Sequence, residues 1–249
     1  MKRLFTLHYS FEVVLILIIV VLGIRIVNSS TIIWRHDIIH RVPTNTKLAA
    51  LTFDDGPYPE YTPKILDVLK QYNVKATFFM IGKEMQQHPD IVKRVIAEGH
   101  TIGNHTYSHP RNLEKLSSEK VKDELEKCEK IIEQFTEKRT HLFRPPRGMI
   151  NGDVARITDE EGYWTILWTV SADHHDAPTP VDMATRVKTL MKPGGIILAH
   201  DGTFKSRWKD VAATPLIIQE LRKQGYKFVT IPELLETNKA YTGKEHEDN

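Results

Sequence analysis

The chain has 249 residues and a 41% hydrophobic composition, which suits one domain of moderate size with short extensions. Its 34 basic and 32 acidic residues leave a net charge of +2, and no basic block with interleaved aromatic residues occurs, so nothing favours nucleic-acid binding. Cys128 is the one cysteine, which excludes an intramolecular disulfide. It falls at helical spacing on an apolar stripe, a pattern that predicts a buried thiol rather than a nucleophile.

The amino terminus predicts an export or anchoring signal rather than a buried strand or helix of a cytosolic protein. Lys2 and Arg3 precede the uncharged apolar run 13–24, which is short for a membrane span but suits the core of a signal peptide. The longer stretch 4–27 is long enough to span, with charges near its ends. We expect a single-pass anchor in the cell membrane with the rest of the chain outside the cytoplasm. A cleaved signal followed by secretion is the alternative.

Residues 28–46 read as a linker, 47–237 as the folded domain and 238–249 as a polar, disordered tail. In chain order the predicted elements are a strand at 47–53, a helix at 62–72, a strand at 76–81, a helical region at 83–98 split before Pro89, a strand at 100–104, a helix at 118–135, a strand at 141–144, a helix at 152–161, a strand at 163–170, a helix at 181–191, a strand at 196–200, a helix at 211–224, a strand at 227–230 and a helix at 232–235. This alternation predicts an α/β fold whose mostly parallel sheet is open or closed into a barrel.

Two adjacent carboxylates, Asp54 and Asp55, follow the first predicted strand of the domain and precede Gly56-Pro57. Two like charges side by side are unfavourable unless a positive charge lies close to them, and a metal ion is the simplest partner. The alternative is a strand-to-turn junction in which Asp-Gly-Pro only forms the turn. In parallel α/β sheets, chemistry gathers at the carboxyl ends of the strands, which favours the first interpretation.

Two histidines at positions i and i+4, His105 and His109, follow the third predicted strand. At this spacing both imidazoles can reach one ion, and two histidines plus one carboxylate leave coordination positions open for water and substrate. A lone pair of this kind is more often two polar loop side chains. Together with Asp54 and Asp55 the pair predicts a catalytic metal site.

Four ordered motifs resemble those of the polysaccharide deacetylases of the NodB-homology type, carbohydrate esterase family 4. They are 52–57 (TFDDGP), 105–109 (HTYSH), 144–148 (RPPRG) and 198–200 (LAH), and the resemblance runs from about residue 47 to 235. It implies a distorted, incomplete (β/α) barrel. It also implies that Asp55, His105 and His109 bind a divalent metal, usually zinc.

The resemblance implies the remaining roles position by position. Asp54 is expected to be the general base, Arg144 to orient Asp54, and His200 to be the general acid that protonates the leaving amine. The backbone N–H of Arg147 is expected to stabilise the oxyanion, and Leu198 to line the pocket for the acetyl methyl group. The chemistry agrees, because amide hydrolysis needs an activated water, an oxyanion donor and a proton for a poor leaving group.

The motif that normally supports the general acid is poorly kept. Ser171 occupies the position of the Asp that holds the acidic histidine in the family, and His175 stands where a tryptophan walls the groove. We hypothesise that Asp173, two residues further on, replaces that Asp as the partner of His200. His174 and His175 are either solvated loop side chains or a second metal pair.

These observations predict a metal-dependent N-deacetylase that acts on an N-acetylated glycan of the cell wall, with N-acetylglucosamine of peptidoglycan first, N-acetylmuramic acid second and chitin-like oligomers third. Arg147 stands where most of the family has Tyr or Phe, and a subgroup that resembles muramic-acid deacetylases has Arg there. Two alternatives stay open: a catalytically silent glycan-binding module, and a metal-dependent amidohydrolase of another small amide. The sequence leaves the oligomeric state unknown.

Overall fold

Residues 38–242 are described by the computed structural model, which carries one parallel sheet. The strands are β1 (Ile38–Ile39), β2 (Leu48–Asp54), β3 (Thr77–Met80), β4 (Thr101–Asn104), β5 (Leu142–Phe143), β6 (Trp164–Ile166), β7 (Val170–Ser171), β8 (Gly195–His200) and β9 (Lys227–Val229). The helices are α1 (Thr62–Gln71), α2 (Gly82–Gln87), α3 (Pro89–Ala97), α4 (Ser118–Thr136), α5 (Gly152–Glu160), α6 (Pro180–Leu190), α7 (Trp208–Lys223), α8 (Ile231–Glu236) and α9 (Lys239–Thr242). Short 3₁₀ turns occur at Leu113–Lys115, Pro146–Gly148 and Lys205–Arg207.

The sheet has the order β1-β6-β5-β4-β3-β2-β8-β7, and β9 also pairs with β2. All named pairs are parallel, as the strand–helix alternation predicts. β6 and β7 lie near opposite ends of this order although only residues 167–169 separate them. Leu167 N donates to Ile39 O and Thr169 N donates to Ile196 O, so this short crossing brings the two ends of the sheet together. The result is a half-barrel α/β fold.

Strand β2 sets which side chains enter the site. All seven of its residues are buried, and alternate residues point to opposite faces. Ala49, Leu51 and Phe53 pack into the core under the helices. The other face carries Leu48 and Ala50 into the core inside the half barrel, and then Thr52 and Asp54. Asp54 therefore faces inward at the carboxyl end of the central strand.

Most predicted elements are confirmed to within one or two residues, and three features differ. The predicted strand 163–170 is two strands, because the chain leaves β6 and crosses to β7 on the other side of the half barrel. Residues 38–42, predicted as linker, add β1 to the sheet and bury Val42. Helix α7 begins at Trp208, three residues before its predicted start.

The termini of the described part of the chain give two further findings. Part of the predicted polar tail forms α9, where Tyr241 packs against Trp164 with ring centroids 5.4 Å apart. No helix within residues 38–242 is both long and apolar enough to cross a membrane. The predicted anchor or signal segment, residues 28–37 of the predicted linker and residues 243–249 of the tail lie outside the described residues.

Helix α4 confirms the interpretation of Cys128. Ser117 caps its amino terminus by accepting from Lys120 N. Cys128 is fully buried, and its Sγ lies 3.6 Å from Met80 O. Burial raises the pKa of this thiol well above its usual range, which keeps it protonated and unreactive.

Candidate active site

A cavity of about 560 Å³ opens at the carboxyl ends of the parallel strands. It collects all of the predicted site residues except Arg144, which lies buried behind Asp54. Its lining residues are Asp54, Asp55, His105, His109, Arg111, Arg147, Gly148, Trp168, Leu198, His200, Phe204 and Arg207. A second cavity of about 440 Å³ lies at the amino ends of β4, β5 and β6 and holds none of the predicted site residues.

Three predicted ligand side chains converge on one point. Asp55 Oδ1 lies 3.4 Å from His105 Nε2 and 3.3 Å from His109 Nε2, and the two imidazole centroids are 5.0 Å apart. The three ligand atoms are close enough to hold one ion. Two nitrogens and one oxygen, with room left on the cavity side, are the donor set of an open catalytic site rather than a closed structural one.

The protonation of these three side chains suits metal binding. His105 Nδ1 lies 2.7 Å from Arg144 O, and since a carbonyl can only accept, Nδ1 carries the proton and Nε2 presents its lone pair. Burial lowers the pKa of His109 and favours its neutral form. Burial alone would raise the pKa of Asp55, but His105, His200 and His109 outweigh it and lower that pKa, so the carboxylate is ionised. The residues present therefore fit a divalent cation.

The backbone at these positions adopts conformations that L-residues rarely use. Asp55, Thr106, His109 and Arg147 all have a positive φ, between 53° and 74°. Strained backbone of this kind persists where the surrounding structure determines it, and it concentrates at functional sites. Gly202 allows the close approach that holds Asp55, because a Cβ there would lie 2.3 Å from Asp55 Cβ. The site is thus built by tertiary packing rather than by local preference.

Asp54 is held by a buried arginine. Arg144 is fully buried, and its Nη1 donates to Asp54 Oδ1 at 2.6 Å and to Thr52 Oγ1 at 2.8 Å. Its other donors bond to the carbonyls of Ile166 and Leu167, and its guanidinium lies 4.1 Å from the centroid of the Phe79 ring. Each guanidinium nitrogen has a hydrogen-bond partner, and this is the condition under which a buried ion pair is tolerated. Asp54 Oδ2, 3.9 Å from His105 Nε2, faces the ligand cluster.

Asp173, the hypothesised partner of His200, lies beside its imidazole. His200 Nδ1 lies 3.0 Å from Asp173 Oδ2, an ion-pair distance, although the angle falls outside hydrogen-bond geometry. Ser171 Oγ donates to Asp173 Oδ1 at 2.9 Å, so the residue at the usual Asp position supports its substitute. Burial alone would lower the pKa of His200, but Asp173 and Asp54 outweigh it and the pKa lies above its ordinary value.

Arg207, which the sequence interpretation did not include, lies beside this pair. Its Nη1 donates to Asp173 Oδ2 and lies 3.7 Å from Asp210 Oδ2. Asp173, His200 and Asp210 have ligand atoms close enough for a second ion, but the guanidinium already supplies the positive charge there. Asp210 Oδ1 accepts from His200 N at 3.1 Å and fixes the end of β8. His174 contacts Asp176 and packs against the tilted ring of His175, but within residues 38–242 neither histidine belongs to a group of three converging metal ligands.

Arg147 and Leu198 line the cavity where the sequence interpretation places them. Leu198 is buried in β8, and the exposed Arg147 side chain donates to Arg111 O at 3.4 Å. Trp168 forms a further wall, since a Cβ on Gly148 would lie 2.5 Å from its ring. Its role was missed because the crossing at 167–169 was predicted as strand. Arg207 follows shortly after His200 at the end of β8, and this position could have marked it as a candidate. No spacing rule assigns a role to an arginine there.

The chain resembles known proteins over most of its length. The polysaccharide deacetylase family model matches residues 41–166, which include the metal ligands, Asp54 and Arg144. A peptidoglycan-N-acetylglucosamine deacetylase of Bacillus cereus is 46% identical over 196 residues, covering 78% of this chain and 91% of its own length. The peptidoglycan-N-acetylmuramic acid deacetylase PdaA of Bacillus subtilis is 34% identical over 210 residues, covering 83% of this chain and 78% of its own length.

A solved structure of a related protein has the same fold. The crystal structure of the peptidoglycan N-acetylglucosamine deacetylase Bc1960, in complex with a substituted N-oxidanyl-benzamide, superposes with a TM-score of 0.78 at 37% identity. The match covers 83% of this chain and 96% of that one. It extends beyond the family model, so the similarity in fold is not confined to residues 41–166.

Proposed function

We propose that this chain, which belongs to the polysaccharide deacetylase family, hydrolyses the N-acetyl groups of amino sugars in peptidoglycan and releases acetate. One observation carries the proposal. The cavity holds a carboxylate fixed by a buried arginine, a three-ligand cluster beside it, and a histidine paired with its own carboxylate. Base, metal site and acid are the three parts that amide hydrolysis needs.

The ligand cluster defines what a bound cation would contribute. Held by Asp55, His105 and His109, a divalent cation would supply Lewis-acid chemistry to the attacking water and to the acetyl carbonyl. We propose Zn²⁺, because two imidazoles and one carboxylate with open positions match its preferred catalytic donor set. Metal analysis of the purified protein, with binding isotherms for Zn²⁺, Co²⁺ and Mg²⁺, tests this choice.

Asp54 is the group that takes a proton from the attacking water. Arg144 occupies Oδ1 and leaves Oδ2 towards the ligand cluster, so the base is oriented before the substrate arrives. We propose that the backbone N–H of Arg147, a residue that lines the cavity, donates to the developing oxyanion. Leu198 and Trp168 form the walls that exclude water around the acetyl group.

His200 is the group that gives a proton to the leaving amine. Its Nδ1 faces Asp173, which leaves Nε2 as the atom that can donate into the cavity. The raised pKa of His200 keeps a larger fraction of the imidazole protonated near neutral pH, as a general acid requires. Without that proton the amine would be a poor leaving group.

Within peptidoglycan we propose N-acetylglucosamine as the first substrate, since the 46% identical relative bears that name. Arg147, together with the similarity to PdaA, supports N-acetylmuramic acid as the second. Full-length protein with Zn²⁺ is incubated with purified peptidoglycan and with N-acetylglucosamine oligomers. Acetate is measured, and mass spectrometry of the digested glycan identifies the sugar that lost its acetyl group.

The matched control in this assay is Asp54→Asn, which keeps the shape of the base and removes its charge. We expect acetate from wild type and background levels from the variant. Metal-loaded, folded protein that releases no acetate from either substrate would overturn the proposed function. Acetate from the oligomers alone would overturn peptidoglycan as the substrate.

We also propose that the amino-terminal apolar segment places the catalytic domain outside the cytoplasmic membrane, where peptidoglycan lies. The charge pattern of Lys2, Arg3 and the run 13–24 supports this location. Fractionation of cells, followed by protease treatment of intact protoplasts, tests it. Full-length protein in the cytoplasm would contradict the proposal.

A further inference from the structure

Arg207 contacts two carboxylates of the site, one that belongs to the metal ligands and one that belongs to the His200–Asp173 pair. Its Nη1 donates to Asp173 Oδ2, the same oxygen that lies 3.0 Å from His200 Nδ1. Its Nη2 lies 3.9 Å from Asp55 Oδ2, the oxygen of that carboxylate that is not paired with the two histidines. The guanidinium is mostly buried, at 12% side-chain exposure, and lies over the ring of Phe204.

We propose that Arg207 is a positioning residue for the deacetylation reaction, which fixes the Asp173 carboxylate against His200 and makes the His200 imidazolium a stronger acid. The proposal rests on the proposed function, because it assigns His200 the role of proton donor. Its geometric basis is the shared oxygen. Two cations that meet at one carboxylate oxygen divide its charge, so Asp173 stabilises the imidazolium less than it would alone.

The surroundings of His200 show why such an adjustment is needed. Several carboxyl groups face it from the elements packed around β8, and Arg207 is the arginine that contacts its partner carboxylate. Those carboxyl groups are Asp54 and Asp55 after β2, Asp173 after β7, Asp201 next in the chain, and Asp210 in α7. An imidazolium held only by carboxylates would keep its proton too tightly to pass it to the leaving amine.

The protonation of the neighbouring acids is consistent with this assignment. Burial raises the pKa of Asp210 to about 6, and Arg207 and His200 act against that rise. Burial also raises the pKa of Asp201 to about 7. Burial, Asp173, Arg207 and Asp54 act together on His200, and Arg207 is the residue among them whose charge lowers its pKa. Arg207 therefore acts on His200 through Asp173, which it holds and whose charge it partly neutralises.

A purely structural role for Arg207 predicts a different result from an electrostatic one. If Arg207 only held Asp173 in place, its loss would separate Asp173 from His200 and lower the pKa of His200, as Asp173→Asn would. If its charge acts on the pair, its loss raises that pKa. The two roles therefore shift the pKa of His200 in opposite directions. We expect the charge effect to be the larger, because Ser171 Oγ still holds Asp173 through Oδ1 when Arg207 is lost.

The test is an NMR titration of the His200 imidazole in the full-length, Zn²⁺-loaded protein, with the signal assigned by its loss in His200→Gln. We expect the pKa of His200 to rise in Arg207→Gln, to fall in Asp173→Asn and to stay near wild type in Arg207→Lys. Arg156→Gln, which removes an exposed arginine paired with Glu160 on α5, is the matched control and should leave it unchanged. An unchanged or lowered pKa in Arg207→Gln would overturn the proposal.

Kinetics give the second readout. General-acid activity is lost as pH rises through the pKa of His200, so the alkaline limb of kcat should move to higher pH in Arg207→Gln, while kcat at its maximum falls about tenfold or more. Should Arg207→Gln not fold, Arg207→Lys still decides. Lysine keeps the charge but not the fork that reaches both carboxylates, so kcat should fall by less than tenfold with the pH profile kept. A wild-type kcat there would contradict the proposal.

The titration also separates this proposal from the proposed function, because it needs no turnover. A protein that shows the opposite shifts in Arg207→Gln and Asp173→Asn but releases no acetate would keep the electrostatic coupling and lose the deacetylase assignment. A protein that releases acetate without those shifts would keep the function and lose the role of Arg207.

Discussion

The two halves of the site reach the same cavity by different routes. The metal half consists of Asp54, Asp55, His105, His109 and Arg144. Asp54 ends β2, the other four follow shortly after β2, β4 and β5, and short contacts to Arg144 hold Asp54 and His105. The acid half has His200 at the end of β8, but its other members, Asp173 and Arg207, come from two separate loops. A strand end fixes a side chain through the sheet, whereas a loop fixes it through side-chain contacts.

This difference suggests that the two halves tolerate substitution differently. In the metal half, one side chain lost leaves buried charges without a partner. In the acid half, Arg207 and Ser171 both contact the carboxylate of Asp173, so the loss of one leaves the other in place. We therefore expect large, localised losses in the first half and graded, pH-dependent ones in the second.

The largest effect is expected for Asp55→Ala. It removes the one carboxylate that lies within 3.4 Å of both imidazole Nε2 atoms, and kcat/KM should fall on the order of a thousandfold or more. Isothermal titration with Zn²⁺ measures the expected loss of metal affinity, and acetate release measures the loss of kcat/KM. Asp176→Ala, an exposed carboxylate paired with Arg186, serves as control. Near-normal Zn²⁺ affinity in Asp55→Ala would refute the assigned ligand set.

The next largest effect is expected for Arg144→Met. Loss of the guanidinium leaves Asp54 buried without its partner, so the free energy of unfolding should decrease by about 3 to 5 kcal/mol. Urea denaturation followed by circular dichroism measures this change. Because Asp54→Asn removes the unpaired charge, the double variant should recover part of the lost stability. Equal stability of the single and double variants would show that the ion pair does not carry the effect.

Asp173→Asn should have an intermediate effect that depends on pH. Asp173 raises the pKa of His200, so its neutralisation lowers that pKa and moves the alkaline limb of the rate profile to lower pH. We expect kcat to fall about ten- to a hundredfold at neutral pH, and less in mildly acidic buffer where the imidazole is protonated. A rate profile that keeps the wild-type shape would exclude Asp173 as the partner of His200.

Ser171→Ala should have the smallest effect. It removes one hydroxyl hydrogen bond to the ionised Asp173 Oδ1, worth about 1 to 1.5 kcal/mol because both side chains are partly exposed, while the contacts of Asp173 Oδ2 remain. We expect kcat to fall about fivefold, with little change in the pH profile. A loss as large as that of Asp173→Asn would mean that Ser171, and not Arg207, fixes the carboxylate.

The sequence predicts the metal half well because its residues follow apolar strands in short, ordered motifs. Asp54, Asp55, His105 and His109 each stand within a few residues of a strand end, and parallel strands bring those ends together. The half barrel follows from the same alternation. The hypothesis about Asp173 rests on the family motif from which Ser171 departs and on the carboxylate two residues further on.

The parts that the sequence did not predict depend on tertiary contacts. The run 163–170 consists of aromatic, aliphatic and threonine residues, most of which favour strands, and nothing local indicates that β6 ends at Ile166 and that Trp168 turns into the cavity. The position of Arg207 depends on how the turn at Lys205–Arg207 folds back on the loop that carries Asp173. Ile39 and Val42 read as linker because a strand of two residues has no periodicity.

Residue 144 has a consequence for how this site can vary by mutation. Its guanidinium holds the base, but its backbone carbonyl fixes the tautomer of His105, and every amino acid has that carbonyl. Genetic variation at this position can therefore change proton transfer while the histidine stays poised to bind its ion. A lineage that loses catalysis through residue 144, and is stable enough to fold without the buried ion pair, would keep a metal-binding protein from which activity can return by a single substitution.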